Sequence, residues 1–263
     1  MPGPEAKGPL AGVHVVVTRP AGQHERLCQL IEASGGVSIH YPVLEIQDAA
    51  DQARLAQQIA RLDEFDLAIF ISPNAVQRAM NRINAHGGLP PKLKTATVGR
   101  GSGRELARIL GREPDIVPAK RFNSEALLEL PPMQEVAGQR VIIFRGDGGR
   151  EHLANTLRER GAKVEYAEVY RRGRPDIDKA PLMHAWARGE VDIIVVTSGE
   201  GLRNLFDMVG QLGRQWLRKT PILVINERLV ELARELGAES APVIADEASD
   251  EGIVAAIEAW HRG

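Results

Sequence analysis

The sequence has 263 residues, of which 43% are hydrophobic and 26% charged, an ordinary composition for a globular protein that argues against disorder. Its formal net charge is −2, so the chain as a whole offers no general attraction to nucleic acid or to anionic lipid. No apolar run approaches the roughly 20 residues that span a bilayer, and a single cysteine excludes an internal disulfide, which is typical of a reducing cytoplasm.

Short β-branched runs alternate with amphipathic stretches along the chain. Residues 1–11, rich in proline and glycine, lack the charged and apolar regions of a signal peptide, so we expect a disordered tail. Strands are predicted at residues 13–18, 67–71, 94–98, 114–117, 140–144, 192–197, 221–225 and 242–245. Helices are predicted at residues 23–33, 51–62, 74–84, 103–110, 124–130, 150–160, 178–188, 201–209, 228–236 and 250–261. The pattern is typical of an α/β fold, with parallel strands buried on both faces beneath helices.

The chain repeats itself at an offset of 126 positions, so that residues 12–137 align with residues 138–263 without a gap. Arg19 falls on Arg145, and Asp66 falls on Asp192. Agreement at both apolar and polar positions favours two copies of one α/β unit. Two copies predict two similar lobes, with a cleft between them in which a ligand can bind.

Two extended segments, residues 37–47 and 164–172, lie at equivalent places in the two copies and contain all three tyrosines. They have two interpretations. Each segment could be the second strand of its own sheet, or the two could cross between the lobes as a paired connection. The residues alone leave both interpretations open.

Hydroxyl groups, arginines and glycines follow several of the predicted strands. In an open α/β sheet, ligands gather beyond the carboxyl ends of the strands, over helix N-termini. Such groups suit a polyanion, above all one with several carboxylates. Each loop taken singly is also explained as a routine helix N-cap beside a solvated arginine. The candidate binding residues are Thr18, Arg19, Ser72, Ser102, Arg145, Thr197 and Ser198.

Motifs for several other chemistries are missing. There is no GxxxxGK[ST] sequence, and residues 99–103 lack the GxGxxG spacing of a dinucleotide site. The strand ends carry Arg19 and Ser72 where a receiver domain needs aspartates. The seven histidines are scattered without ligand spacing, so no metal site is expected. Without a nucleophile elbow either, an enzyme of this sequence would depend on positioning and electrostatics.

Six short motifs, through their order and spacing, resemble the uroporphyrinogen-III synthase family. They lie at residues 17–20, 70–76, 98–106, 144–150, 168–171 and 196–198, and they extend through nearly the whole chain. One departure is clear, because residues 224–232, the second-copy equivalent of residues 98–106, lack the glycine and the small hydroxyl usual there. Backbone contacts with an anion are therefore less expected from that loop.

The resemblance implies two flavodoxin-like parallel-sheet lobes joined by a two-stranded linker. Residues 12–37 together with 173–263 would form a discontinuous first lobe, and residues 46–163 the second. Residues 38–45 and 164–172 would be the linker strands, which favours the crossing interpretation by family likeness. Because few contacts restrain a narrow connection, we expect the lobes to open and close.

The resemblance also implies a reaction and roles for particular residues. Family members cyclise and dehydrate hydroxymethylbilane, a linear tetrapyrrole with eight carboxylates, to uroporphyrinogen III in tetrapyrrole (haem) biosynthesis. Ring D is inverted through a spiro intermediate, and neither a cofactor nor a metal is required. Tyr170 matches the family's linker tyrosine and is the candidate donor to the departing hydroxyl. Its alternative is a packed linker residue, and the strand-end residues would bind carboxylates or the bilane backbone.

The competing hypothesis from another class is a non-catalytic two-lobed binding or regulatory protein for an anionic metabolite. The lobes would have the same shape in either case, so the fold alone does not separate the two. No apolar surface stripe is evident, and we expect a cytoplasmic monomer that binds a small-molecule substrate but neither nucleic acid nor membrane. A transient contact with the preceding enzyme of the pathway is a further hypothesis.

Overall fold

The computed structural model describes residues 8–149 and 151–263. Its strands are β1 (His14–Val17), β2 (Val37–His40), β3 (Glu45–Asp48), β4 (Leu67–Phe70), β5 (Lys94–Thr97), β6 (Arg140–Gly146), β7 (Lys163–Gly173), β8 (Ile193–Val195), β9 (Ile222–Val224) and β10 (Val243–Ile244). Its helices are α1 (Glu25–Ala33), α2 (Gln52–Ala60), α3 (Pro73–Ala85), α4 (Arg100–Leu110), α5 (Ser124–Leu128), α6 (Pro131–Gln134), α7 (His152–Glu159), α8 (Ala180–Ala187), α9 (Gly199–Met208), α10 (Gly210–Leu217), α11 (Glu227–Glu235) and α12 (Asp250–Arg262). One 3₁₀ turn spans Leu62–Glu64.

The chain divides into two compact units, each with its own sheet. The first unit runs up to Glu45 and resumes with Gly173–Gly263, and the second unit comprises Ile46–Arg172. In the first unit the strand order is β10-β9-β8-β1-β2, with every neighbouring pair parallel. In the second the order is β3-β7-β6-β4-β5, and the β7–β6, β6–β4 and β4–β5 pairs are parallel. The predicted α/β class with parallel sheets is therefore confirmed.

Alternate residues of the central strands enter two cores, one on each face of a sheet. In β1, Val16 packs into a core that includes Leu205 of α9, whereas Val15 and Val17 pack into a core that includes Ile31 of α1. In β4 and β6 the same division holds between two further cores. Because helices cover both faces, successive residues in the middle of these strands are apolar.

The prediction of a disordered tail is wrong for residues 8–11, the part of it that the structure describes. Leu10 is fully buried, in the same core as Val15, and its N–H donates to the Ser34 carbonyl at 2.9 Å. An isolated leucine in a Pro/Gly-rich stretch gives no periodic signal, but a pocket beneath α1 accommodates it. Residues 1–7 of the predicted tail lie outside the described residues.

The two extended segments are strands of the sheets. Residues 38–40 belong to β2, which pairs with β1, and residues 164–172 belong to β7, which pairs with β6. Residues 45–47 of the first segment belong to β3 of the other sheet, so this segment passes from one sheet to the other. The assignment of residues 38–45 and 164–172 to linker strands remains a prediction. The boundaries between the units fall at 45/46, at the start of β3, and at 172/173, at the end of β7.

Two further differences concern the elements at the edges. The strand predicted at residues 114–117 is reduced to one isolated bridge between Ala96 and Ile116. The helix predicted at residues 201–209 is followed by a second helix, α10, which was not predicted. Gly210, the first residue of α10, has a φ of +69°, a left-handed conformation that favours glycine and breaks the chain direction between the two helices.

Candidate functional site

A pair of hydroxyl groups lies at the carboxyl end of the second sheet. Ser72 follows β4 and caps α3, and its Oγ accepts the Ala75 N–H at 3.1 Å. The same Oγ lies 3.2 Å from the Oη of Tyr170 on β7, and either hydroxyl can be the donor. Tyr170 is only 2% exposed. The structure thus brings two of the predicted site residues together through their hydroxyl groups.

A bulge places Tyr170 on this side of its sheet. Arg145 of β6 lies opposite Glu168, but the next residue, Gly146, lies opposite Tyr170, so β7 contains one extra residue there. As a result Val169 and Tyr170, although adjacent, both pack into the core that contains Phe144. In a regular strand their side chains would point to opposite faces.

Arg145 is held by three groups at the end of β6. Its Nη1 donates to Glu151 Oε1 at 3.0 Å and its Nε to the Gly146 carbonyl at 3.2 Å. The guanidinium carbon lies 4.4 Å from the centre of the Tyr166 ring, a cation–π geometry. Tyr166 Oη in turn donates to Glu151 Oε2 at 2.7 Å. Arg145 is therefore a fixed residue of the second unit.

The same contacts shift the pKa values of two acidic side chains, Glu151 and Tyr166. The Tyr166 hydroxyl and the Arg145 guanidinium stabilise the Glu151 carboxylate and lower its pKa. Burial raises the pKa of Tyr166, and the hydrogen bond to Glu151 raises it further. At neutral pH the lowered pKa keeps Glu151 a charged carboxylate, and the raised pKa keeps Tyr166 a neutral phenol.

A cavity of about 230 Å³ adjoins Arg145 in the second unit. Arg145, Tyr166 and the glycines at positions 146, 148 and 149 contribute to its walls, together with Ser124 and Arg172. Gly149 has a φ of +118°, and a Cβ there would lie 3.0 Å from Arg145 Nη2. Because glycine is at this position, the Nη2 edge of the guanidinium can lie directly against the loop that lines the cavity.

Ser102 lies in the first turn of α4 and is 2% exposed. The N-cap of this helix is Gly99, so no side chain provides a capping hydrogen bond. At the end of the adjacent strand, the buried Thr97 Oγ1 has no hydrogen-bond partner among the described residues. The α4 N-terminus therefore differs from that of α3, which Ser72 caps.

In the first unit, Thr18 and Arg19 are held by partners of that unit. Thr18 is buried, and its Oγ1 donates to the Val195 carbonyl at 2.7 Å, which ties the ends of β1 and β8. Arg19 Nη1 lies 2.5 Å from Asp250 Oδ1, at the start of α12. The imidazole of His40 contacts the Arg19 carbonyl at 2.9 Å. Thr18 therefore has a structural partner, and the Arg19 charge is balanced by Asp250.

The remaining predicted residues, Thr197 and Ser198, line a cavity of about 440 Å³ in the first unit. Ser198 caps α9, since its Oγ accepts the Gly201 N–H at 3.0 Å. Arg203 and Arg228 also line this cavity. Asn226 lines it too and caps α11, since its Oδ1 accepts the Leu229 N–H at 3.1 Å. In the loop that lacks the glycine, a side chain therefore caps the helix.

Three residues that make these contacts were not among the site residues predicted from the sequence, namely Glu151, Tyr166 and Asp250. The first two lie in or next to predicted elements, but their pairing depends on a turn and on a strand register that periodicity does not specify. Among the described residues, no group of three or more His, Cys, Asp or Glu side chains could hold a metal ion. Nor does any described helix have the length and apolarity to cross a membrane.

The fold defines an α/β protein of two units, each with a largely parallel sheet. Hydroxyl and arginine side chains lie at the strand ends, and cavities adjoin several of them. The family model described as uroporphyrinogen-III synthase HemD matches residues 25–255. The uroporphyrinogen-III synthase of Escherichia coli (strain K12) is 37% identical over 246 residues, covering 93% of this chain and 99% of that protein. The synthase of Synechococcus elongatus is 31% identical and covers 98% of each chain. The chain belongs to the uroporphyrinogen-III synthase family.

Solved structures show the same fold. A mutant uroporphyrinogen III synthase from the extremely thermophilic bacterium Thermus thermophilus aligns with a TM-score of 0.61 at 21% identity, covering 95% of this chain and 98% of that chain. The synthetase from Helicobacter pylori 26695 aligns with a TM-score of 0.59 at 15% identity, covering 94% and 99%. At these identities the likeness establishes the α/β fold with parallel sheets and no more.

Proposed function

We propose that this protein converts hydroxymethylbilane into uroporphyrinogen III, as a cyclising hydro-lyase of tetrapyrrole (haem) biosynthesis. The observation that carries this function is family membership, with 37% identity to the Escherichia coli synthase over 93% of the chain. The strand-end hydroxyls and arginines supply chemistry that the reaction needs. Positioning and hydrogen bonding account for it without a cofactor.

The first step is loss of the substrate hydroxyl, for which Tyr170 is the proposed donor. The bond between the methylene carbon and the hydroxyl oxygen breaks, both electrons go to oxygen, and the oxygen takes the Tyr170 proton and leaves as water. The adjacent pyrrole nitrogen stabilises the cation that remains, so a weak acid is sufficient. Ser72 supports the donor, because its hydroxyl can donate to the Tyr170 oxygen as the phenolate develops. Ser72 itself accepts an N–H of the α3 N-terminus.

Ring closure then depends on orientation. The substituted carbon of ring D attacks the cationic methylene to form the spiro intermediate, which fragments and closes again with ring D inverted. The proton lost when the final ring becomes aromatic restores the Tyr170 phenol. Spontaneous closure gives the uninverted isomer, so the protein must stabilise one transition state more than the other. The protein stabilises that transition state by binding the carboxylates at both ends of the linear tetrapyrrole, which fixes the orientation of those ends.

The proposed substrate-binding residues lie in both units. Arg145 adjoins the cavity of the second unit, and Thr197 and Ser198 line the cavity of the first. Arginine binds carboxylates through two parallel N–H donors, and hydroxyls add single hydrogen bonds. The full proposed set is Thr18, Arg19, Ser72, Ser102, Arg145, Thr197 and Ser198, with Tyr170 as the catalytic residue.

We also propose that the two units are flavodoxin-like lobes that arose from a duplication. The first sheet has the order 2-1-3-4-5 when its strands are numbered along the unit. Supporting this, Val15 faces Ile193 in the first sheet, and Val141 faces Leu67 in the second, which is the same register after an offset of 126. Asp192 and Asp66 accept equivalent backbone N–H groups, from His14 at 2.7 Å and from Arg140 at 2.8 Å.

In this duplication the two copies exchange strands. The first-copy strands β1 and β2 pair within the sheet of the second-copy strands β8, β9 and β10. The second-copy strands β6 and β7 lie in the sheet of the first-copy strands β4 and β5. Ser72 and Ser198, which are equivalent, both cap the helix that follows. The proposal thus rests on topology, register and capping together.

The test is an assay with freshly generated hydroxymethylbilane in which type I and type III uroporphyrin isomers are separated after oxidation. Predominantly type III product would establish the activity. Type I alone, formed at the spontaneous rate by a protein shown to be folded, would overturn it and favour a non-catalytic binding protein. The further proposals of a cytoplasmic monomer and of a transient contact with the preceding enzyme are tested by fractionation, by sedimentation and by co-sedimentation with that enzyme.

A further inference from the structure

Arg145 is buried to an unusual degree for a group that binds an external anion. Its side chain is 4% exposed, whereas its ionic partner Glu151 is 53% exposed. A buried guanidinium is costly unless its charge and its donors are satisfied. The second unit balances the charge with the Glu151 carboxylate and the face of the Tyr166 ring, and it provides acceptors for Nη1 and Nε in Glu151 and the Gly146 carbonyl.

Glu151 and Tyr166 form a connected clamp around the guanidinium. Glu151 accepts from Arg145 through Oε1 and from Tyr166 through Oε2, so each of its oxygens has one partner in the cluster. The Tyr166 ring lies against the guanidinium and reaches Glu151 with its hydroxyl. Arg145 therefore cannot rotate without breaking contacts with both residues.

The two sides of the guanidinium face different surroundings. Glu151 takes Nη1 and is not among the residues that line the 230 Å³ cavity, whereas Arg145, Tyr166 and Gly149 are. Nη2 points toward Gly149, since a Cβ at that position would lie 3.0 Å away. The clamp thus engages one side of Arg145 and directs the other side to the loop at the cavity.

We infer that Glu151 and Tyr166 are positioning residues that fix Arg145 so that its Nη2 edge binds one carboxylate of the substrate in this cavity. The inference rests on the proposed function for the identity of the substrate. The phenol and the carboxylate touch Arg145 and not the reacting atoms, so they set affinity and orientation. Pre-organising an arginine in this way reduces the ordering cost of binding.

The experiment compares three variants, Glu151→Gln, Tyr166→Phe and Glu190→Gln. Glu190 is the matched control, because it forms an ion pair with Arg188 on the surface of the first unit. We expect Glu151→Gln to raise the KM for hydroxymethylbilane by about three- to tenfold and Tyr166→Phe by about two- to fivefold, because charge-assisted contacts are lost. In both, kcat should stay within about twofold of the wild type. Glu190→Gln should change neither constant.

A double variant separates positioning from a general structural effect. If Glu151 acts through Arg145, Glu151→Gln should have no further effect on KM in an Arg145→Lys background. An additive effect, or a loss of kcat at unchanged KM, would overturn the inference. If Glu151→Gln fails to fold, Tyr166→Phe carries the same comparison, since it retains the ring and removes one hydroxyl.

Failure of the proposed function can be distinguished from failure of the clamp. A wild-type protein that gives no type III isomer would remove the activity, whatever the variants do. Calorimetric titration with uroporphyrin III, a stable octacarboxylate, then still tests the clamp through binding alone. Weaker binding by Glu151→Gln than by Glu190→Gln would support it, and equal binding by the two variants would overturn it.

Discussion

The ring of Tyr170 lies in the space that a side chain on Gly146 would occupy. A Cβ at position 146 would come within 2.6 Å of Tyr170 Cε2 and 3.1 Å of its Oη. The bulge at this point brings the two residues opposite each other. Gly146 is therefore required by the packing of its neighbour, and the position of the Tyr170 hydroxyl depends on it.

Replacing Gly146 with alanine should displace the Tyr170 ring and break its contact with Ser72. We expect a loss of about 1–3 kcal/mol in the free energy of unfolding, as overpacking of a full core usually produces. Urea denaturation measures it. Gly101→Ala is the control, since a Cβ there meets only Pro73 Cγ at 3.4 Å and the residue lies in α4. Equal stability of the two variants would contradict the packing argument.

Removal of the Tyr170 hydroxyl tests its proposed role as acid. Tyr170→Phe keeps the buried ring, so we expect a stability loss of only about 1 kcal/mol, from the lost hydrogen bond to Ser72. The value of kcat should fall by about ten- to a hundredfold, the scale at which a general acid contributes. The measurement is the initial rate of type III formation, with thermal unfolding alongside. An unchanged rate would remove Tyr170 from the mechanism.

Ser72→Ala should affect both stability and rate. The α3 N-cap is lost, which costs about 1 kcal/mol, and Tyr170 loses its hydrogen-bond partner. The matched variant is Ser198→Ala, which removes the equivalent cap of α9 without touching Tyr170. Comparable stability losses, with a drop in kcat confined to or larger in Ser72→Ala, would support a link to Tyr170. Equal effects of the two variants on kcat would contradict it.

The stacked imidazoles of His24 and His40 predict a pH effect in the first unit. Their ring centres are 3.4 Å apart, and burial, with the charge of a protonated His24, lowers the pKa of His40 despite the opposing hydrogen bond to the Arg19 carbonyl. The folded state therefore binds this proton less readily than the unfolded state. The free energy of unfolding that neutral His40 contributes is complete above the ordinary histidine pKa of ~6.5, and it is lost as the pH falls below that value.

NMR titration of the His40 ring, with thermal unfolding between about pH 7.5 and pH 5, checks this effect. The His40 midpoint should lie below the ordinary histidine pKa of ~6.5, and His24→Ala should move it upward. A His40 midpoint at or above ~6.5 would show that the stacking does not disfavour the charged ring.

If the two units arose by duplication, the equivalent aspartates Asp192 and Asp66 should make similar contributions to the free energy of unfolding. Asp192 and Asp66 each accept a backbone N–H at the start of a central strand. We expect Asp192→Ala and Asp66→Ala each to cost about 0.5–1.5 kcal/mol in unfolding free energy, the usual net contribution of one hydrogen bond that water can partly replace. Asp63→Ala, at an exposed position of the 3₁₀ turn, should cost less than about 0.5 kcal/mol.

The parallel sheets could be predicted because burial on both faces leaves a clear sequence signal. Val15, Val16 and Val17 are apolar in succession since helices cover either side of β1. The offset of 126 positions also carried information, because it aligned Ser72 with Ser198, and both are helix caps. The fold class and several helix caps can therefore be predicted from the local sequence pattern.

The details of the site were not predictable because they depend on register and on packing between distant segments. Strict alternation along β7 would place Tyr166 and Tyr170 on one face, but the bulge sends them to different cores. Likewise, the partner of Arg19 is Asp250, which lies 231 positions away. No local periodicity identifies such a pair.

The exchange of strands between the sheets has a consequence for synthesis on the ribosome. Ile46–Arg172 is continuous, so all of its core residues emerge before the last third of the chain is made. Strand β1 emerges first, yet one of its two neighbours in the sheet, β8, comes nearly 180 residues later. The middle of the chain can therefore fold during translation, whereas the earliest strand must wait, with its valines exposed, until the final segment arrives.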